Sequence, residues 1–127
     1  MVEERGWAMF QALLQDVVDH TDGGLAGLLM GYDGIAVDHY VRAEDFTQVE
    51  AVGMELSVVL KNVQQATQML EAGDAEEVAI RAAHFTTLVR LLNDEYFVAV
   101  TVRPGGNVGK ARYLLRKRAA DFDEALR

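Results

Sequence analysis

The sequence predicts an α/β fold: a five-stranded antiparallel sheet covered on both faces by helices, in the order α-β-β-α-β-β-β-α. Three observations carry this prediction. Three stretches, the middle one longest, repeat apolar residues at three- and four-residue spacing, as amphipathic helices do. Between them lie five short runs rich in β-branched, aromatic and other apolar residues, bounded by turn chemistry. Two of these runs, 25–31 and 96–103, are apolar on both faces, so they belong inside a sheet covered on both sides. The long middle helix is therefore placed on one face and the two terminal helices on the other.

The first helix is expected over residues 4–21. Trp7, Phe10, Leu14, Val17 and Val18 form its buried stripe, Glu3 and Glu4 suit the positive end of its dipole, and Gln11, Gln15, Asp16 and Asp19 make its outer face. The segment "HTDGG" ends it. A hairpin follows, turning at Asp33-Gly34, where glycine accepts the positive backbone angle of a tight turn. Its second strand, 35–41, alternates Ile35, Val37 and Val41 on one face with Asp38 and Tyr40 on the other, as an edge strand would.

The middle helix is expected from Glu44 to Leu70, with Asp45 and Gln48 forming a capping box and Gly73 stopping it. Phe46, Val49, Gly53, Leu56, Leu60, Val63, Thr67 and Leu70 lie on its core side. Nearly opposite stand Ala51, Met54, Val58 and Met69, with Lys61, Asn62 and Gln65 among them. A surface helix should be polar there, so the second apolar face predicts a second protein surface against it.

Three strands come next. "EEVAIRAA" is half apolar, with Val78, Ile80 and Ala82 on one face. "HFTTLVRLL" and "YFVAVTVR" follow, the latter central, with Val98, Val100 and Val102 on one face and Phe97 and Ala99 on the other. The acidic pairs Glu76-Glu77 and Asp94-Glu95 are read as solvated turn residues. After "PGGN", Asn107 caps a final helix over 108–126, whose buried stripe is Val108, Ala111, Leu115, Ala119, Phe122 and Leu126.

At 127 residues, half of them hydrophobic, the chain suits one domain over 1–127. No apolar stretch reaches membrane-spanning length, and the start "MVEERGW" carries no export signal. With no cysteine there is neither disulfide nor thiolate metal site, and a cytoplasmic location is expected. The net charge of −8 opposes nucleic-acid binding. It is unevenly spread: residues 1–80 hold three basic side chains (Arg5, Arg42, Lys61) against fifteen acidic ones, whereas 103–118 hold six basic and no acidic residues.

No catalytic constellation emerges. "PGGNVGKAR" sits where a phosphate-binding loop would, but Pro104 replaces a required glycine and Ala111 a required serine or threonine. His20, His39 and His84 lie on separate elements without metal-ligand spacing, and the lone Ser57 is inside a helix. Neither metal nor cofactor is expected.

The glycine-led strand, Asp-Gly turn and second strand of "GGLAGLLMGYDGIAVDHYV", the long helix, the three strands, and the final helix opened by "GGNVGKARYLLRKRA" together resemble the roadblock/dynein-light-chain family. Gly34, Asn107, Gly109 and Arg112 carry the marked positions, and Lys110 departs from a position often apolar in the family. The resemblance implies a profilin/longin-like fold. It also implies a homodimer, or a heterodimer with a similar domain, in which the third strand pairs with its copy and the long helices pack together. The expected interface is Ala51, Met54, Val58, Asn62, Gln65 and Met69 with Val78, Ile80 and Ala82. Bacterial members further imply regulation of a small Ras-like GTPase, some stimulating GTP hydrolysis, without a catalytic site of the regulator's own. Arg42, Arg81 and Arg90, near strand ends or edges, are the expected contacts for such a partner. A dimeric scaffold indifferent to nucleotide is the alternative.

Overall fold

A computed structural model describes residues 4–42, 44 and 48–127. Glu3, Asp45 and Phe46, and the side chains of Glu4 and Trp7, lie outside the described residues. The elements are α1 (Glu4–Asp19), β1 (Gly24–Gly31), β2 (Ala36–Val41), α2 (Val49–Met69), β3 (Glu77–Arg81), β4 (Thr86–Leu91), β5 (Tyr96–Val102) and α3 (Val108–Ala125). The five strands form one antiparallel sheet in the order β2-β1-β5-β4-β3, which leaves β2 and β3 at the edges and β5 in the middle.

Period-two alternation along β5 sorts the core into two layers. Val98, Val100 and Val102 face α1 and α3, joining Phe10, Leu14, Val17, Leu115 and Phe122. Phe97 and Ala99 face α2, joining Leu28, Met30, Leu56, Leu60 and Val89. The α1 and α3 helices pack on each other, while α2 lies mainly over β1 and β2. Close approach is possible because glycines stand at the contacts, Gly27 of β1 and Gly53 of α2 among them. A Cβ on Gly27 would stand 3.1 Å from a Val18 methyl of α1, and one on Gly53 would overlap the Leu28 side chain beneath α2.

The hairpin turns as expected at Gly34, whose φ is +86°, with the Ile35 N–H donating to Asp33 Oδ1 at 3.1 Å. At the other end of the chain the Asn107 side chain accepts the Lys110 N–H at 2.9 Å and so caps α3. The Asn93 amide donates to Asp123 at 2.7 Å, tying the end of α3 to the β4–β5 turn. That bond, followed by Arg127, holds the Asp123 carboxyl below the usual carboxylate range.

Several sequence expectations need correction. The first helix ends at Asp19 rather than residue 21, where the Thr21 hydroxyl instead bonds Val17 O at 2.8 Å. The middle helix begins at Val49, Glu44 lies in a turn, and Gln48 occupies the N-cap position without a side-chain cap bond. Its end is a Schellman motif centred on Glu71, not Gly73: Glu71 takes φ 55°, its N–H bonds Gln68 O, and the Ala72 N–H bonds Thr67 O. Leu70, placed on the core stripe by its spacing, is 77% exposed.

In β2, Val37 packs toward α1 with Tyr40, whereas Val41 packs toward α2 with Ala36. The register skips one residue opposite Leu29 and Met30, and this bulge at Val37 reverses the alternation read from the sequence. The strand read from His84 begins only at Thr86.

Candidate functional site

The candidate site is a surface, formed by the outer side of α2 and the free edge beyond β3. A helix resting on a sheet buries about one side, and α2 spends Val49, Gly53, Leu56, Ser57 and Leu60 on that contact. Ala51, Met54, Val58, Asn62, Gln65 and Met69, three or four residues apart along the opposite side, are all exposed. Met54 and Val58 are each 57% exposed and Met69 79%. Val52 and Val59, which the sequence reading omitted, widen this apolar surface. Their signal was present, since each neighbours a residue of the outer stripe. A small cleft lined by Val52, Leu56, Thr87 and Thr101 places Val52 on the β4 side of the helix.

The edge strand continues the surface. Val78 pairs with Val89, and Ile80 with Thr87. Val78 and Val89 both join the α2-side core, so Val78 and Ile80 stand on the sheet face that α2 occupies. Ile80 remains exposed there. Ala82 lies just past the strand, which ends at Arg81, and its N–H donates to Phe85 O at 2.9 Å in the turn to β4. Beyond β3 the sheet has no further strand among the described residues, so one row of its backbone polar groups is open to pairing.

Charged groups fix this edge from below. The Glu77 carboxylate takes the Arg112 Nε–H of α3 at 3.0 and 3.1 Å, which ties β3 to the helix on the opposite face from α2. Glu77 is thus a strand residue with a partner, not the solvated turn acid expected. Arg112, one of the marked family positions, acts here as the anchor of the edge strand. Arg90 lies across the ladder from Glu77, but that carboxylate is committed to Arg112, and Arg90 Nε is buried with no hydrogen-bond partner among the described residues.

The three arginines named from sequence therefore do not converge. Arg42 and Arg81 lie toward the same end of the sheet, where Arg42 shares a concavity of about 270 Å³ with Arg103 and Asp22. Arg103 was missed, because sixty-one positions separate it from Arg42 and only the β1–β5 pairing brings them together. Arg42 Nε is 3.9 Å from Asp19, and Arg81 has no carboxylate within 4.0 Å among the described residues. Arg90 is at the opposite end, lining a cleft of about 440 Å³ with Gln64, Thr67, Asp74 and Asp94. It is half-buried.

Tyr32, below the same end of α2, is buried against Phe97; its hydroxyl makes no hydrogen bond of good geometry among the described residues, and the Gln64 side chain stands beside it. Burial, reinforced by Asp94, pushes its phenol up to about 12. Among the described residues no three His, Asp or Glu side chains gather as metal ligands would, and no helix is long and apolar enough to cross a membrane.

The architecture is that of a profilin/longin-like α/β domain, with helices on both faces of one antiparallel sheet. No family model and no curated protein matches the chain. Solved structures do. The chain is 32% identical to MglC from Myxococcus xanthus over 91% of this chain and 98% of that one, with a TM-score of 0.66. The gliding protein MglB from Thermus thermophilus is 11% identical but overlays at a TM-score of 0.89, covering 98% of this chain and 93% of that one. A Roadblock/LC7 domain from Streptomyces avermitilis, 14% identical, gives 0.81 over 91% and 96%. The latter two show the fold, and the identity to MglC shows kinship as well. The chain belongs to the Roadblock/LC7 family, in its bacterial MglB and MglC branch.

Proposed function

We propose that the chain acts as one roadblock-like domain, over residues 1–127, that pairs with a second copy or a similar domain and as a dimer engages a small Ras-like GTPase. The observation that carries the reading is the apolar outer face of α2 beside an unpaired edge strand. Covering side chains such as Val58 contributes roughly 1.5–3 kcal/mol for each one fully buried. Pairing β3 with its copy satisfies the open edge at the same time. Met54, Val58, Met69 and Ile80 are the apolar contacts of this interface, and Ala51, Asn62 and Gln65 border it.

Membership in the family supports the GTPase as partner, since bacterial relatives of this kind regulate small Ras-like GTPases. Acceleration of GTP hydrolysis would come from positioning the switch segments, because catalysis of phosphoryl transfer is mostly positioning and charge stabilisation. An inserted arginine is disfavoured at Arg90, whose Nε is buried in its own fold. Arg81, exposed and without a carboxylate partner among the described residues, and Arg42 are the contacts to test.

The test captures partners on the immobilised full chain in the presence of a non-hydrolysable GTP analogue or of GDP, with the bound proteins identified by mass. A small GTPase recovered only with the analogue supports the proposal. Equal recovery in both states, or recovery of non-GTPase partners alone, replaces it with a nucleotide-indifferent scaffold.

A further inference from the structure

The cations of α3 divide into two sets. Arg112 is held by Glu77 at 3.0 Å, and Arg118 by Asp16 at 3.1 Å and Asp121 at 3.4 Å. Lys110, Arg116 and Lys117 are exposed and have no carboxylate within 4.0 Å among the described residues. These three share one side of the helix, spread over about 10 Å of its length, while Arg112 and Arg118 flank them. Among them stands Tyr113, 51% exposed, its ring centre 5.7 Å from the Lys110 ammonium and 5.9 Å from that of Lys117. The stripe is a local reversal of sign on a chain of net charge −8. It lies on the face of the sheet opposite α2.

We propose that this stripe of α3 is a docking surface for an acidic protein segment, a short run of Asp and Glu lying along the helix. Arg116 offers a planar fork to carboxylates, and the two lysines offer point charges. Tyr113 supplies the rigid, amphipathic contact of the kind that anchors interfaces. The narrowness of the stripe selects the occupant. At physiological salt, charges act over about 8 Å, so a single acidic segment on α3 experiences mainly the cations of this helix, with Asp121, one turn beyond Lys117, bonded to Arg118. A membrane plane or a nucleic-acid duplex extends beyond that distance and meets the acidic remainder of the chain, which repels it.

The test uses the full-length chain and a fluorescein-labelled decaglutamate peptide, with binding read by anisotropy at rising salt. The expected result is saturable binding that weakens with salt. Lys110→Gln with Lys117→Gln should weaken it about tenfold, whereas Arg103→Gln with Arg127→Gln, an equal change of net charge elsewhere, should alter it less than about twofold. Tyr113→Ala should weaken binding by several fold while leaving its salt dependence unchanged. Absence of peptide binding, equal loss in the two double variants, or tighter binding to phosphatidylserine vesicles or duplex DNA than to the peptide would overturn the proposal.

Discussion

Met54→Glu is the most direct challenge to the proposed dimer. Met54 is already 43% buried within its own chain, since 57% of it is exposed. Full burial of a methionine contributes about 1.5–3 kcal/mol, so roughly 1–1.5 kcal/mol remains to be gained at an interface. A two-fold dimer contains the site twice, making the lost apolar term about 2–3 kcal/mol. Each introduced carboxylate must also leave water without a partner, adding at least about 1 kcal/mol per copy even where water penetrates the seam. The total, on the order of 4–5 kcal/mol, weakens association about a thousandfold. Sedimentation velocity over a concentration series reads this directly, with far-UV circular dichroism confirming that the variant is folded. Met54→Leu, which keeps the apolar surface, should dimerise as the native chain does. A folded Met54→Glu variant with unchanged dimerisation would show that the outer face of α2 is not the seam. A native chain that stays monomeric throughout would remove the premise.

Other sites make separable predictions. Glu71→Gly should stabilise the fold by up to about 1 kcal/mol, because φ 55° at the end of α2 strains any residue with a Cβ; a thermal melt should rise by a few degrees, and an unchanged midpoint would refute the strain. Gly53→Ala gains helix propensity of about 1 kcal/mol, but its Cβ overlaps Leu28 and meets Met30 Sδ at 2.9 Å. The expected net loss of about 1 kcal/mol in urea unfolding would be reversed if α2 could lift without cost. Tyr32→Phe should change stability at neutral pH by no more than about 1 kcal/mol, since the hydroxyl has at most a weak contact with Gln64 to lose. At high pH the sign is set by the raised phenol. The folded state holds this proton longer than the unfolded chain, so the contribution of Tyr32 is intact below its ordinary value of 10.0 and is lost toward about 12. Stability of the native chain should therefore fall relative to Tyr32→Phe across that window, and parallel curves would refute it.

The sequence disclosed the layers more fully than the joints. Alternation in β5 assigned each side chain to the correct core, because a strand covered on both faces must be apolar on both. The same logic failed at Val37, where one extra residue reverses the alternation, and nothing local distinguishes a bulged strand from a regular one. Leu70 failed for a geometric reason. A helix of 21 residues is about 31 Å long, whereas a strand of 8 residues such as β1 spans about 27 Å. The last turns of α2 thus have little sheet beneath them, and Val63 and Thr67 are only half-buried. The exposed stripe was legible because it was excess: no single contact with a sheet could use apolar residues on both sides of α2. Arg112 with Glu77, and Arg42 with Arg103, were illegible because strand order and helix placement create those encounters.

The distribution of charge bears on how the two surfaces could serve one assembly. The strand register places Arg42, Arg81 and Arg103 toward one end of the sheet, partly offset by Asp19 and Asp22, and the turns carrying Asp33, Asp94 and Glu95 at the other, with Asp74 and Glu76 nearby. Such a separation orients an approaching charged partner and speeds its encounter, while adding little to the depth of binding. Apolar area does the reverse, giving affinity without direction. On this chain the two kinds of surface are kept apart, the apolar one on α2 and the unpaired cations on α3 across the sheet. A dimer closed through α2 and β3 would, by its two-fold axis, present the α3 stripe twice. Loss of dimerisation in Met54→Glu should then leave each protomer's affinity for decaglutamate unchanged and remove only the gain from joining two stripes on one ligand. If the same substitution abolished peptide binding by the folded monomer, the two surfaces would be one, and their separation across the sheet would carry no functional meaning.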